Sequence, residues 1–218
     1  VLTAPRWKGA LPPLPAAARE PGSGWDSPPP PARPAGDRVS VRQWTKEARP
    51  PFPLALPEPS GDVLFCDPAM LATGFEASRA SPRLRVMQPI HRTSAGKVQR
   101  LINFMQPGSY VRPHRHTRPH AIETVIVIHG AIALFLFEED GAVRDGALLR
   151  AAHPGCFVDL EPHVWHTLLP LERDTAAIEI KAGPYDPATD KEFAPWAPAE
   201  DHPDAPGYLR MLVSIVAP

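Results

Sequence analysis

The segment Gly108–Gly130 reads GSYVRPHRHTRPHAIETVIVIHG and joins a group of histidines to a strongly β-prone run. His114 and His116 are two residues apart, so both imidazoles would point to the same face of a strand. Glu123 begins the β-prone run, and the valines at alternate positions after it would share its face. The segment therefore predicts strands that turn several metal-binding side chains toward one interior.

Histidine is concentrated in this part of the chain. Seven of the nine histidines are His114, His116, His120, His129, His153, His163 and His166. His166 begins a later β-prone run. Three neutral imidazoles and one carboxylate are a natural set for a divalent first-row metal, with positions left open for water or substrate. We therefore predict a metal site formed by His114, His116, Glu123 and His166.

The identity of the metal and the roles of two further histidines stay open at this stage. The same four ligands accept iron, manganese, nickel, cobalt or zinc, so one divalent transition metal is predicted without a choice among them. His120 lies between His116 and Glu123 and is either an alternative ligand or a solvated loop residue. His129 shares the face of Glu123, so it would either line a cavity or belong to the turn at Gly130.

Short β-prone runs separated by turns continue on both sides of this segment. The predicted strands are Val98–Met105, Glu123–Gly130, Ala131–Phe137, Cys156–Leu160, His166–Leu169 and Ala176–Lys181. A turn at 138–141 follows the third of them. Repeated short strands at this spacing indicate a mainly β fold, an antiparallel sandwich or barrel. A barrel that closes on itself would bring the four candidate ligands together.

The N-terminal quarter of the chain has a different character. Residues 1–59 hold 15 of the 31 prolines, so we predict a disordered, Pro-rich leader over 1–60. Asp67 and Pro68 suit the N-cap and first position of a short helix over Pro68–Ser78. The predicted organisation is this leader, a β domain at 61–200 and a C-terminal tail at 201–218.

Composition excludes several classes of protein. A net charge of −1 provides no electrostatic footprint for nucleic acid or an anionic membrane. No run approaches 18 consecutive apolar residues, so no membrane span is predicted. Cys66 and Cys156 are too few for a disulfide scaffold or a thiolate-rich zinc module. We expect a soluble, cytoplasmic protein whose partner is a small molecule.

The order of the candidate ligands resembles the two motifs of cupin proteins. The first motif is matched by Gly108, His114, His116, Glu123 and Gly130, and the second by Gly155 and His166. Two features depart from the general pattern: the gap before Glu123 is six residues long, and Glu161-Pro162-His163 stands where cupins have Pro-x-Gly. The resemblance implies a cupin double-stranded β-helix.

Longer strings resemble one particular cupin family. They are QPGSYVRPHRH at 106–116, VWHTL at 164–168, EIKAGPYDP at 179–187 and DKEFAPWAP at 190–198. Over about residues 62–200 the chain is similar to the WbuC family of cupin-fold metalloproteins. This resemblance implies a bound metal and an association with bacterial surface-polysaccharide (O-antigen) biosynthesis loci.

Five further residues are candidates for contact with a substrate. They are Arg100, Tyr110, Arg112, Lys181 and Tyr185. An arginine at the cavity mouth would clamp a carboxylate or phosphate through two parallel hydrogen bonds, or else cover apolar surface. Lys181 would face the substrate or pair with Glu179, and Tyr185 would act as a general acid or pack in its turn.

The function predicted from these features is that of a metal-binding cupin. We expect a metal-dependent enzyme that acts on a small polar substrate by isomerisation or epimerisation, with a sugar or sugar nucleotide implied by the family resemblance. An iron-dependent dioxygenase and a non-catalytic small-molecule-binding cupin are the alternatives. Both faces of 124–128 and 132–137 are apolar, so one face needs a cover, and we predict a homodimer, with the N-terminal helix as the competing cover.

Overall fold

The computed structural model describes residues 7–8 and 53–216, so most of the predicted leader lies outside the described residues. The elements in chain order are β1 (Trp7–Lys8), α1 (Pro68–Ala80), β2 (Arg85–Pro89), β3 (Val98–Met105), β4 (His114–Arg115), β5 (Glu123–His129), β6 (Ala131–Phe137), β7 (Val143–Arg150), β8 (Phe157–Leu160), β9 (His166–Pro170), β10 (Thr175–Ala182), β11 (Glu192–Phe193) and α2 (Ala205–Val216). Each predicted strand agrees with an observed strand to within one residue at either end.

The described strands form two sheets. Sheet A has the order β1-β7-β6-β9-β4-β11, and sheet B has the order β2-β3-β10-β5-β8. Neighbouring strands pair antiparallel, apart from β1, which runs parallel to β7. The predicted mainly β architecture of two antiparallel layers with a short N-terminal helix is therefore confirmed.

Gly130 carries the chain from sheet B into sheet A. Its φ is +72°, and a Cβ at this position would lie 2.6 Å from Thr175 Oγ1. Glycine alone combines this backbone conformation with so close a neighbour. The two β-prone runs that meet at Gly130 consequently become β5 and β6, which face each other across the interior instead of pairing side by side.

The apolar core lies between the sheets. Its buried members are Val125, Val127, Ile132, Leu134, Leu149, Leu160, Leu168 and Ala177, contributed by both sheets. The alternation of β5 places its two valines here, on the face that the sequence predicted for them. Burial of this set contributes the hydrophobic free energy that holds sheet A against sheet B.

Each sheet also has an apolar outer face, and a helix covers it. On sheet B, Phe75 of α1 packs edge-on against Phe104 with ring centroids 5.4 Å apart. The helix begins as predicted, because the Asp67 carboxylate accepts a hydrogen bond of 2.8 Å from the Met70 N–H. On sheet A, Leu212 of α2 joins the cluster around Phe135. The segment predicted as a C-terminal tail thus supplies the cover of β6, and the homodimer stays a prediction.

Within the part of the chain that the structure describes, neither helix has the length and hydrophobicity that crossing a membrane requires.

Candidate metal centre

Four predicted ligands meet at one end of the space between the sheets. His114 lies on β4, His116 follows it, His166 begins β9 and Glu123 begins β5. The backbone register places His114 directly opposite His166 within sheet A, while Glu123 reaches them from sheet B. One nitrogen or oxygen from each residue lies within 4.8 Å of all the others, and all four side chains are buried. This group could hold a metal ion.

Backbone carbonyls orient the three imidazoles. Nδ1 of His114 lies 2.9 Å from the Arg112 carbonyl, and Nδ1 of His166 lies 2.9 Å from the Val164 carbonyl. Nδ1 of His116 lies 2.5 Å from the Asp190 carbonyl. A carbonyl only accepts, so Nδ1 carries the proton in each ring and Nε2 keeps its lone pair. Metal-binding histidines in proteins are held by this same kind of contact.

Among the described residues, the opposite side of each ring has no hydrogen-bond partner. Nε2 of His114, His116 and His166 and Oε2 of Glu123 are buried without one. Glu123 Oε2 lies 2.9 Å from Nε2 of His166 and 3.3 Å from Nε2 of His116. A carboxylate oxygen and a nitrogen lone pair repel at such distances unless a proton or a cation lies between them. The donor set and its geometry therefore fit a divalent metal.

Electrostatics keep the site in a form that can bind a cation. Burial, aided by Lys191 and His166, holds the pKa of His114 well below its usual value, so this imidazole stays neutral. Burial opposes ionisation of Glu123, yet without a cation a proton held between its carboxylate and the imidazoles of His116 and His166 keeps the pKa of this carboxyl well below its usual range. Neutral imidazoles and an ionised carboxylate are the protonation states that a metal needs.

A cavity of about 680 Å³ opens beside the four residues. Its lining includes His114, Glu123 and His166, the charged residues Glu179, Lys181 and Asp190, and apolar side chains such as Met87, Leu101 and Leu168. Such a mixture of apolar walls and a few convergent polar groups is typical of small-molecule sites.

Lys181 is the predicted substrate residue that lies deepest in this cavity. It sits opposite Glu123 in the pairing of β10 with β5, so its side chain emerges next to the candidate ligand. Its Nζ lies 2.8 Å from Asp190 Oδ2 and 3.4 Å from Glu179 Oε1. Burial works to lower the pKa of Lys181, but these two carboxylates and Glu123 raise it above its usual value. Tyr185, half exposed, lines the outer part of the cavity.

The other three predicted substrate residues do not line the cavity. Arg100 is exposed on the outer face of β3, because its neighbours Gln99 and Leu101 take the inward positions. The Tyr110 hydroxyl donates a hydrogen bond of 2.9 Å to the Pro198 carbonyl. Arg112 donates one of 2.7 Å to the Ala194 carbonyl. The latter two anchor the 194–198 segment beside sheet A.

Asp190 is a site residue that sequence reasoning did not single out. Its carbonyl orients His116, its Oδ2 binds Lys181, and its Oδ1 is buried with no partner among residues 53–216. No strand periodicity marks it, since it precedes the two-residue strand β11. The signal that could have found it was its position at the start of the string at 190–198.

Both departures from the general cupin pattern are accommodated in the structure. The longer gap before Glu123 contains a turn in which the Ala121 N–H donates to the Arg118 carbonyl at 3.0 Å, and it leaves His120 exposed, outside the group of four. His163 adopts a φ of +70°, the conformation that glycine normally takes in such a turn. His129 is exposed, and its Nδ1 lies 2.6 Å from the Asp174 carbonyl.

Comparison with known proteins gives a family model and a set of solved structures. Residues 66–164 match the model described as a domain of unknown function (DUF6016). No curated protein matches the chain.

Three solved structures are similar to the chain at low sequence identity. For a Bacillus subtilis oxalate decarboxylase mutant, identity is 13% and the TM-score 0.36, over 44% of this chain and 24% of that one. For recombinant oxalate oxidase in complex with glycolate, identity is 14% and the TM-score 0.41, over 53% of this chain and 58% of that one. For KdgF from Halomonas sp., identity is 21% and the TM-score 0.37, over 49% of this chain and 85% of that one. The chain thus spans about a quarter of the length of the decarboxylase.

The fold and the position of the buried group together define the class of this protein. Two antiparallel sheets enclose a core, and three histidines and a glutamate converge at one end of it. The structure is a two-sheet β fold, the architecture that the cupin resemblance of the sequence implies, with a buried residue group that could bind a metal.

Proposed function

We propose that the chain binds one divalent transition metal through His114, His116, Glu123 and His166 and acts as a metal-dependent enzyme on a small polar molecule. One observation supports this most directly: three Nε2 atoms and a carboxylate oxygen converge in a buried space and have no partner in the part of the chain that the structure describes. Buried polar atoms are seldom left unpaired, and a cation would satisfy all four at once.

The reaction class that we propose is proton transfer next to a carbonyl, as in isomerisation or epimerisation. The bound metal would polarise the carbonyl or hold adjacent hydroxyls of the substrate. The Glu179 carboxylate lies in the cavity and accepts a hydrogen bond of 2.7 Å from Asn103. It is the group best placed to take the proton. Lys181 stays an ammonium and donates to an oxygen of the substrate.

We also propose membership in the WbuC family and a carbohydrate substrate. The strings that carry the resemblance supply site residues in this chain: the string at 106–116 contributes His114 and His116, and the one at 190–198 begins with Asp190. Surface-polysaccharide biosynthesis would provide such substrates.

Metal analysis of the purified full chain tests the first step of this proposal. We expect about one equivalent of a transition metal by mass spectrometry in the wild type and in His129→Ala, whose imidazole is exposed outside the group. His114→Ala and His166→Ala should remain folded and lack the metal. A metal-free wild type that stays empty after reconstitution would contradict the proposal.

Deuterium incorporation tests the second step. A panel of hydroxycarbonyl compounds incubated with the loaded protein in D₂O should reveal exchange at one carbon, read by NMR. Glu179→Gln should keep the metal and lose the exchange. Tight ligand binding without exchange would instead identify a non-catalytic binding protein. Iron together with oxygen consumption would identify a dioxygenase.

A further inference from the structure

The inner end of the cavity holds an unusual set of buried charges. Glu123, Glu179, Lys181 and Asp190 are each less than a tenth exposed, with values of 2%, 6%, 8% and 5%. Lys181 contacts two of the carboxylates, at 2.8 Å for Asp190 and 3.4 Å for Glu179, and sits opposite the third in the strand pairing. One ammonium is therefore surrounded by three carboxylates.

A charge count shows what this cluster requires. Three carboxylates and one ammonium sum to −2, and the three histidines are neutral because each has its Nδ1 proton on a carbonyl and a free Nε2 lone pair. One divalent metal brings the total to zero. Burial of a net charge is costly, so a loaded cluster of zero charge favours an uncharged occupant over an anion.

The other charged residues of the cavity form no ion pair with this cluster within the described part of the chain, although the charge of Lys191 is felt at His114. They are Glu58, Arg83, Arg85, Lys191 and Glu200. Arg83 and Arg85 both pair with Glu200, at 3.1 and 2.5 Å, and Glu58 is exposed. Lys191 is half-buried. Arg85 is itself buried and is offset by its ion pair with Glu200, whereas solvent screens Glu58, Arg83 and Lys191 more than it screens the buried cluster.

Hydrogen-bond capacity points to the same kind of occupant. Each carboxylate can accept about four hydrogen bonds. Glu179 accepts one from Asn103 and contacts Lys181, while Asp190 accepts one from Lys181 on Oδ2 and has no partner for Oδ1 within the described residues. The inner cavity therefore has more unused acceptors than donors, with the Lys181 ammonium as its charged donor, and a ligand that fits it must bring donors of its own.

We propose that the inner cavity is a subsite for an uncharged, hydroxyl-rich molecule. Adjacent oxygens of this molecule bind the metal, and its remaining hydroxyls donate to Glu179 and Asp190. Its carbon skeleton lies against Met87, Leu101 and Leu168, which line the same cavity. This inference rests on the proposed metal site and narrows its substrate class.

Three probes that share one carbon skeleton test the inference. Sorbitol is uncharged, D-gluconate carries one carboxylate and D-glucarate carries two. Calorimetric titration of the metal-loaded full chain should give the tightest binding for sorbitol and the weakest for D-glucarate. A carboxylate binds metals better than a hydroxyl does, so the charge of the cluster and the preference of the metal predict opposite orders of affinity. Tighter binding of D-gluconate or D-glucarate than of sorbitol, or no binding of sorbitol, would overturn the inference.

A charge-altering variant makes the test independent of the metal's own preference. Glu179→Gln keeps the shape of the side chain and replaces the negative carboxylate by a neutral amide. The metal-loaded cluster then has a charge of +1. We expect its affinity ratio of D-gluconate to sorbitol to rise about tenfold or more over the wild type. Glu76→Gln, on the exposed face of α1, is the matched control and should leave the ratio unchanged.

A second variant covers the case in which Glu179→Gln does not fold. Asp190→Asn retains the backbone carbonyl that orients His116 and should shift the ratio in the same direction. An unchanged ratio in a folded, metal-loaded variant would overturn the inference. Metal content is measured in every sample, so a wild type without metal would mark the failure of the proposed function instead.

Discussion

The two ends of the space between the sheets are built on the same strands and differ completely in character. Three strands show this most clearly. Their inward residues, from the polar end to the apolar end, are Glu123, Val125 and Val127 on β5, His166 and Leu168 on β9, and Lys181, Glu179 and Ala177 on β10. Strand periodicity fixes which side chains point inward, whereas position along the strand decides whether they pack or bind.

The two ends also make opposite contributions to stability. Burial of the apolar end is favourable by roughly 25 cal/mol for each Å² removed from water. The polar end buries carboxylates, an ammonium and partnerless imidazole nitrogens, all of which lose hydration. The core therefore holds the strands together, while the candidate metal centre is held open as a site that a cation would stabilise.

The largest difference between substitutions at the two ends is expected in metal affinity. His166→Ala removes one of four ligands and should weaken metal binding roughly 100- to 1,000-fold, whereas Leu168→Ala, two residues along the same strand face, should leave it within about threefold. Competition with a chromophoric chelator measures both. Equal losses in the two variants would mean that the two ends do not act separately.

A substitution in the apolar core should lower stability and leave metal binding unchanged. Leu134→Ala creates a cavity at a position that is 1% exposed, and it should lower the free energy of unfolding by about 3 kcal/mol while metal stoichiometry stays unchanged. Urea denaturation of the metal-free proteins checks the first part and metal analysis the second. A loss below about 1 kcal/mol would show that this end does not carry the stability assigned to it.

The sequence predicted those features of both ends that follow from local pattern. The helix was predicted over 68–78 from its cap and extends to Ala80, and β3 and β6 were predicted from their β-branched and aromatic residues. The four candidate ligands were predicted because their spacing matches motifs. β7 was missed, since VRDGALLR combines charges with a glycine and lacks a clear period of two. α2 was missed because its segment was read as a tail.

Features set by tertiary contacts were beyond the reach of pattern reading. Arg100 was expected at the cavity, although the alternation of β3 that buries Leu101 turns it outward. Tyr110 and Arg112 bond to carbonyls of a segment more than 80 positions away in the chain, at Pro198 and Ala194. Only the folded chain brings these pairs together.

Acid should destabilise the polar end selectively. The pKa of His114 is depressed by burial, so the unfolded chain binds a proton below pH 6.5 that the folded chain does not. The pKa of Glu123 is depressed by the neighbouring imidazoles, so its contribution to stability is present above about 4.5 and is lost as the pH falls further. Stability of the metal-free protein should decline from pH 6.5 downward, by about 1.4 kcal/mol per pH unit for each proton.

His114→Gln provides the control for this pH dependence. The variant keeps a buried polar side chain and lacks the titrating ring, so the decline between pH 6.5 and 5 should become shallower. Thermal denaturation across this range measures the slope. A slope identical to that of the wild type would assign the acid sensitivity to other groups.

The smallest effect on stability is expected in the segment 54–56, which forms the outer wall of the cavity at the polar end. In the segment before α1, the Leu56 N–H donates to the Met87 carbonyl at 2.7 Å, and the Met87 N–H donates to the Leu54 carbonyl at 3.2 Å. Leu54 and Ala55 line the cavity with Met87. Leu56→Pro removes the donor of the shorter bond and should cost about 1 kcal/mol, whereas Leu56→Val keeps that N–H.

Ligand binding should respond to this wall more strongly than folding does. Because the segment lines the cavity and supplies none of the four candidate ligands, Leu56→Pro should weaken sorbitol binding severalfold and leave metal content at the wild-type level. If Leu56→Pro and Leu56→Val bind sorbitol equally well, the segment is not part of the site. A loss of metal in Leu56→Pro would show instead that the wall and the metal centre form one unit. The metal centre at the polar end would then need the segment 54–56 for its integrity, as the apolar end needs the packing of its core.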